Sequence, residues 1–141
     1  HGRAAIPDSP RALILAAVDK YRQALAVRSA VLHPRNQMLG ATHAALCDAL
    51  TELGQEGLVQ AAGHAEIALE YITASYPPDS SAEGFQRAKL AEMLTASGPP
   101  GSTARVAAEE HAVRAAAILS AHFGELNETV LRMRRLLLGN D

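Results

Sequence analysis

The side chains able to support chemistry are few in this chain and stand far apart along it. His43 and Cys47 lie four residues apart, which places an imidazole and a thiol on one face of a helix, where both could coordinate a metal ion. Two ligands do not make a metal site, and the equivalent position of a later segment carries Ala91 instead of a thiol. We therefore expect Cys47 to pack in the core, and we expect no metal and no other cofactor.

Two further histidines, His64 and His111, occupy equivalent positions in segments that repeat each other. A histidine that recurs with a repeated helix is more typical of a structural position than of catalysis. The chain has no Ser-His-Asp order, nucleophile elbow, P-loop or GxGxxG motif, and the glycines of 54–57 form a turn between helices, not a phosphate-binding loop. The sequence therefore predicts that this chain is not an enzyme by itself, because a small helical enzyme would need a set of catalytic residues.

Three arginines, Arg132, Arg134 and Arg135, cluster in the last predicted helix. Cations suit the C-terminal end of a helix, where the backbone dipole is negative, so the cluster needs no ligand to explain it. The dipole is the favoured explanation. Arg132 and Arg135 are also suited to contact an anion or an acidic peptide, and we keep that second interpretation.

Length, composition and charge limit the class of protein. A chain of 141 residues suits one domain, which we place at residues 9–141, with residues 1–8 as a tag remnant or linker. Hydrophobic residues make up 48% and aromatic residues only 4%, so we expect a core of small and aliphatic side chains. The formal net charge of -2 argues against a general nucleic-acid binder. The single cysteine and the lack of a membrane-spanning apolar run indicate an intracellular protein, cytoplasmic and/or nuclear, without a membrane partner.

Capping residues, prolines and glycines divide the chain into six predicted helices. Ser, Asn and Asp side chains cap helix N-termini, proline suits the first helical turn, and glycine commonly follows the last turn. The predicted starts are Ser9-Pro10, Asn36, Leu58, Asp79 or Ser80, Ser102 or Thr103, and Asn127. The predicted ends lie near Leu32, Leu53, Tyr76, Gly98, Gly124 and Gly139.

The third and fifth predicted helices repeat each other, as do the segments that lead into the second and fourth. GHAEIALEYITASYP (63–77) aligns with EHAVRAAAILSAHFG (110–124) at an offset of 47, and LHPRNQMLG (32–40) aligns with YPPDSSAEG (76–84) at an offset of 44. The helices therefore alternate between two types, in the order B-A-B-A-B-A. Helix pairs with one apolar stripe bury that stripe by stacking on similar pairs. The sequence predicts an all-α fold, an antiparallel helical-hairpin array of about six helices with a period of 44–47 residues.

The repeated pattern resembles a long-helix variant of the tetratricopeptide (TPR) hairpin. The segments NQMLGATHAALCDALTELG, AEIALEYITASYPPDSSAEGFQRAKLAEMLTASG and AAILSAHFGELNETVLRMRRLL also resemble the C-terminal helical domain of the SET-and-MYND (SMYD) lysine methyltransferases, over about residues 30–138. The resemblance implies a TPR-like domain that packs against the catalytic part of its parent and offers a groove to partners. This chain lacks the SET domain, the MYND zinc finger and the post-SET cysteines, so no catalytic or cofactor residue is carried over.

In a TPR-like array the A helices line a concave groove, and Gly54 and Gly98 mark equivalent ends of two of them. Aligning the two helices at these ends predicts which side chains of each helix face the groove. The resulting surface is small, mildly acidic and apolar, which suits a peptide with apolar side chains and a basic residue. The predicted groove residues are Ala41, Ala44, Asp48 and Thr51 from the first A helix, and Phe85, Ala88, Glu92 and Thr95 from the next.

Two functions from different classes follow from this pattern. The first is a non-catalytic, TPR-like interaction and regulatory module, the C-terminal domain of a SMYD-type protein lysine methyltransferase. Its groove binds a peptide or protein partner, or is filled by the catalytic domains of the parent protein. The alternative is a regulatory or oligomerising helical-repeat domain with no relation to methylation.

Overall fold

The computed structural model describes residues 9–139, and within them the chain is all-helical, with no β-strand. This confirms the predicted all-α fold of six helices. The predictions for residues 1–8, 140 and 141 lie outside the described residues. The helices are α1 (Pro10–Val31), α2 (Gln37–Thr51), α3 (Leu58–Ser75), α4 (Ser81–Ser97), α5 (Thr103–Phe123) and α6 (Glu128–Leu137), and a short 3-10 turn spans Gly54–Gly57.

Side-chain caps start five of the six helices, as the sequence predicts. Each capping oxygen accepts a hydrogen bond from a backbone N–H of the first turn, which satisfies a donor that has no partner inside the helix. The exception is α3, which continues directly from the 3-10 turn without a side-chain cap. Of the alternatives, serine rather than Asp79 or Thr103 caps α4 and α5. The caps are Ser9, Asn36, Ser80, Ser102 and Asn127.

Each helix packs mainly against the helices that precede and follow it along the chain. Thus α3 contacts both α2 and α4, and α5 contacts both α4 and α6. The core between them consists largely of leucine and alanine, with Leu46, Leu90 and Leu119 fully buried. Small side chains let neighbouring helices approach closely, so this interior is filled without any buried phenylalanine or tyrosine among the described residues.

At two glycines inside helices, the neighbouring helix approaches closely. Gly40 of α2 faces Tyr71 of α3, and a Cβ atom at this glycine would lie 2.7 Å from the Cβ atom of Tyr71. Gly84 of α4 faces Leu119 of α5, where a Cβ atom would lie 2.8 Å from a methyl carbon of that leucine. Gly40 and Gly84 are equivalent positions of the repeat, so the same crossing occurs twice.

Candidate functional site

Ion pairs link successive A helices, namely α2, α4 and α6. Lys89 of α4 binds Asp48 of α2, and Arg132 of α6 binds Glu92 of α4. Asp48 and Glu92 are equivalent positions, 44 residues apart. The repeat therefore places a carboxylate on one A helix against a cation of the next A helix in both units.

Two clefts border these ion pairs and share Glu92. The first, which we call the acidic cleft, lies between α2 and α4 and has a volume of about 410 Å³. The second, the basic cleft, lies among α4, α5 and α6 and has a volume of about 520 Å³. The acidic cleft is lined by Asp48, Thr51, Glu52, Lys89, Glu92 and Met93. The basic cleft is lined by Glu92, Thr95, Ala96, Arg105, Arg132, Arg135 and Leu136.

The two clefts carry opposite charge. Three carboxylates and one ammonium group line the acidic cleft, whereas three guanidinium groups and one carboxylate line the basic cleft. The sequence predicted a mildly acidic groove throughout. The difference arises because α5 and α6 bring their arginines beside α4, a contact between segments that are distant in sequence.

A third cleft, the apolar cleft, opens where α2, α3 and α4 meet, and its volume is about 160 Å³. The side-chain amide of Gln86 donates to the Ala65 carbonyl, and the Tyr71 hydroxyl donates to the Pro34 carbonyl, at its rim. Both donors are thus engaged within the protein. The cleft is lined by Gln37, Gly40, Ala41, Ala44, Ala68, Tyr71, Ile72, Ser75, Tyr76 and Gln86.

The eight predicted groove residues fall into four environments. Asp48, Thr51, Glu92 and Thr95 line the two charged clefts, and Ala41 and Ala44 line the apolar cleft. Phe85 is 43% exposed, and its ring packs against Phe123 at a centroid distance of 5.6 Å. The prediction for Ala88 is corrected here. Ala88 is only 2% exposed and belongs to the core between α4, α5 and α6, where a partner cannot reach it.

Arg132 and Arg135, the residues predicted to contact an anion, line the basic cleft together with a third arginine, Arg105. Arg132 makes two hydrogen bonds to the Glu92 carboxylate, at 3.1 and 3.4 Å, so its charge is partly compensated. Arg105 lines the same cleft while its Nε donates to the Thr95 carbonyl at 3.0 Å. Sequence reasoning missed Arg105 because it stands apart from the other two arginines in the sequence, and only the packing of α5 against α4 and α6 brings the three together.

His43 and His64 form a side-chain pair between α2 and α3. Their Nδ1 atoms lie 2.8 Å apart, so one ring donates and the other accepts. Burial lowers the pKa of His43, and burial together with the charges of His43 and Arg22 lowers the pKa of His64. Both shifts favour the neutral imidazole, and the paired rings join two helices.

His111 occupies the position equivalent to His64 and makes the equivalent contact. Its Nδ1 lies 3.1 Å from a guanidinium nitrogen of Arg87, and Arg87 is the repeat equivalent of His43. Burial and the Arg87 charge lower the pKa of His111, although Glu110 opposes them. The predicted structural role of the repeated histidines agrees with this geometry, since each one links a B helix to an A helix.

Glu83 is a buried carboxylate beside the same arginine. It accepts from Arg87 at 2.8 Å and from the Asp79 backbone N–H at 3.1 Å, and Arg114 lies 3.7 Å away. Burial by itself would raise the pKa of Glu83, but these hydrogen bonds and charges outweigh it, and the pKa is lowered. The carboxylate is thus held ionised as part of the α4 N-terminus, where a negative charge suits the helix dipole.

Cys47 packs in the core as the sequence predicts, with its Sγ 3.8 Å from the Met93 sulfur. Burial raises the pKa of this thiol, which disfavours the thiolate form that metal binding and nucleophilic attack require. Within residues 9–139, no three His, Cys, Asp or Glu side chains are grouped closely enough to hold a metal ion.

No helix among the described residues combines the length and apolar character needed to cross a membrane.

No protein-family model matches the chain, and no curated protein or solved structure matches it significantly. The resemblance to the SMYD C-terminal domain therefore stays a prediction based on the sequence pattern.

Proposed function

We propose that this chain is a non-catalytic interaction module that binds an extended peptide along its A helices. The observation that carries the proposal is the pair of oppositely charged clefts that share Glu92. A surface with separated charge favours a partner with the complementary order of charges and disfavours the reverse order.

A TPR-like arrangement of antiparallel hairpins is part of this proposal. The order of packing along the chain supports it, because each helix contacts its sequence neighbours. The glycine crossing occurs in both units, and so does the ion pair between successive A helices, and both observations support the arrangement further. In such an array the charged clefts lie along one face, bounded by successive A helices.

The proposed partner carries basic residues for the acidic cleft and acidic residues for the basic cleft. Lysine or arginine of the peptide would bind near Asp48 and Glu52, and glutamate or aspartate would bind near Arg105 and Arg135. The contacts are partly exposed, so salt should weaken them. The assignment to a SMYD-type parent rests on the sequence pattern alone, and a parent domain is then one source of such a segment.

Binding of two labelled peptides of identical composition tests the proposal by fluorescence anisotropy. One peptide has lysines at one end and glutamates at the other, and the second has the same charges in alternation. We expect the first peptide to bind about tenfold more tightly, a difference of about 1.4 kcal/mol, and to weaken with salt. Equal affinity for the two peptides would contradict the proposal.

Two charge reversals locate the binding surface. Arg135→Glu places a negative charge in the basic cleft and should weaken the ordered peptide about tenfold. Lys20→Glu makes the same change in net charge on the exposed surface of α1 and should leave binding unaltered. Equal loss in both variants would show that net charge, and not this cleft, governs binding.

The alternative of an oligomerising domain is favoured by α1. Leu13, Val27 and Val31 share one face of this helix by helical periodicity, and they are 56%, 65% and 74% exposed. Light scattering coupled to size exclusion tests this function. A dimer that a Val27→Glu variant dissociates would support it, whereas a monomer at all concentrations would exclude it.

A further inference from the structure

The apolar cleft has an equivalent in the second repeat unit. The positions on α2 recur 44 residues later on α4, and the positions on α3 recur 47 residues later on α5. Most pairs conserve their character, since a glycine or alanine faces an apolar side chain in both units. The equivalent pairs are Gly40 and Gly84, Ala41 and Phe85, Ala44 and Ala88, Ala68 and Ala115, Ile72 and Leu119, and Tyr76 and Phe123.

One of these pairs differs greatly in size. Phe85 lays its ring against Phe123 in the second unit, whereas Ala41 leaves the space beside Tyr76 open in the first. The N-caps of α4 and α6, Ser80 and Asn127, are 47 residues apart, and at that offset Met133 of α6 stands where α4 has Gln86. The apolar cleft thus lies where the first unit has Ala41 in place of the larger Phe85.

The burial of the surrounding residues agrees with this comparison. Ala88 and Leu119 are 2% and 0% exposed in the second unit, where the phenylalanine ring is present. Their equivalents Ala44 and Ile72 are only half-buried in the first unit. The first unit therefore exposes apolar surface that an additional ring would cover.

We propose that the apolar cleft receives an aromatic side chain from the bound peptide, seated against Tyr76 as Phe85 is seated against Phe123. The volume of about 160 Å³ suits this ligand, because an apolar cavity of about 150 Å³ in another protein binds benzene. Tyr76 is 53% exposed and offers a ring face for stacking. The inference rests on the proposed function for the source of the ring, and it adds an aromatic anchor to the partner.

The test uses N-acetyl-phenylalaninamide as the probe and methyl NMR of the protein as the readout. We expect saturable, millimolar shifts at the methyl groups of Ala44, Ala68 and Ile72. N-acetyl-alaninamide should leave them unchanged because it lacks the ring. Absence of saturable shifts with the aromatic probe would overturn the inference.

Ala41→Phe places the ring of the second unit into the first. The variant should lose the probe-induced shifts, and its melting temperature should rise by about 2–4 °C because the ring covers apolar surface. Ala26→Phe, on the exposed surface of α1, should keep the shifts and gain no stability. Probe binding that persists in Ala41→Phe would overturn the inference, since the ligand would then sit elsewhere.

The outcomes separate this inference from the proposed function. Probe binding at the apolar cleft without discrimination between the two charged peptides would uphold the aromatic site and refute the charged groove. Discrimination between the peptides without probe binding would uphold the charged groove and refute the aromatic site.

Discussion

At the residue scale, the histidines show how one repeated position serves two different pairs. His64 meets another imidazole, whereas His111 meets a guanidinium group, yet both contacts join a B helix to an A helix. Each contact requires a neutral ring nitrogen to accept a hydrogen bond. The half-buried histidines should therefore make the stability of the fold depend on pH.

We expect stability to fall as the pH is lowered through about 6.5, the ordinary pKa of histidine. Since His111 has a lowered pKa in the folded state, the unfolded chain binds more protons below that pH, and stability rises with pH in this window. Stability is fully present above 6.5 and decreases towards the lowered folded pKa. Chemical denaturation between pH 7.5 and about 5 measures this change, while Glu83 stays ionised.

Two variants test the assignment to His111. His111→Gln keeps an acceptor for Arg87 but cannot be protonated in this range, so stability should fall less with pH than in the wild type. Lys20→Gln removes a charge from the exposed surface of α1 and should keep the pH dependence of the wild type. An unchanged pH dependence in His111→Gln would show that this contact does not carry the effect.

At the element scale, the packing at each helix crossing decides whether a glycine there raises or lowers the stability of the fold. Glycine weakens a helix interior by about 1 kcal/mol relative to alanine, so replacing a helical glycine with alanine normally stabilises the protein. Gly40 is different because Tyr71 lies against it through atoms next to the backbone. Gly84 faces the more flexible end of Leu119, which has more freedom to move aside.

Gly40→Ala should lower the free energy of unfolding by about 1–3 kcal/mol, because overpacking outweighs the gain in helix propensity. Gly63→Ala is the matched control, since no atom lies within 4 Å of a Cβ atom added there. It should raise the free energy of unfolding by about 1 kcal/mol. Urea denaturation measures both, and stabilisation by both substitutions would disprove a close crossing at Gly40.

At the scale of the whole molecule, contacts between chain neighbours dominate the fold. Where helices contact mainly their chain neighbours, stability is approximately the sum of local terms and neighbour interfaces, so we expect the ends of the chain to open first. The first helix is the clearest case, since Val18 is its only buried residue whereas α3 and α4 are packed on both sides.

Native-state hydrogen exchange should therefore give α1 the lowest opening free energy, with α3 and α4 amides exchanging near the global value. The order should hold in the Gly63→Ala variant, whose added stability belongs to α3. A single opening free energy shared by α1, α3 and α4 would show that the molecule unfolds as one unit.

The sequence by itself determined the helices and their order. Capping side chains and prolines are local signals, and together with the 44–47 residue period they predicted all six helix starts and the repeated A and B pattern. Helix ends came out one or two residues shorter than expected at Val31, Thr51 and Ser75. The buried position of Cys47 was also predictable, because its repeat equivalent is an alanine.

Tertiary structure decided the candidate site. The pairing of Lys89 with Asp48, the entry of Arg105 into the basic cleft and the burial of Ala88 depend on contacts between residues far apart in sequence. Helical periodicity gives the face on which a side chain lies, but it does not give the neighbour that the face meets. The charge of each cleft and the open space beside Ala41 follow from those neighbours, which only the packing of the helices supplies.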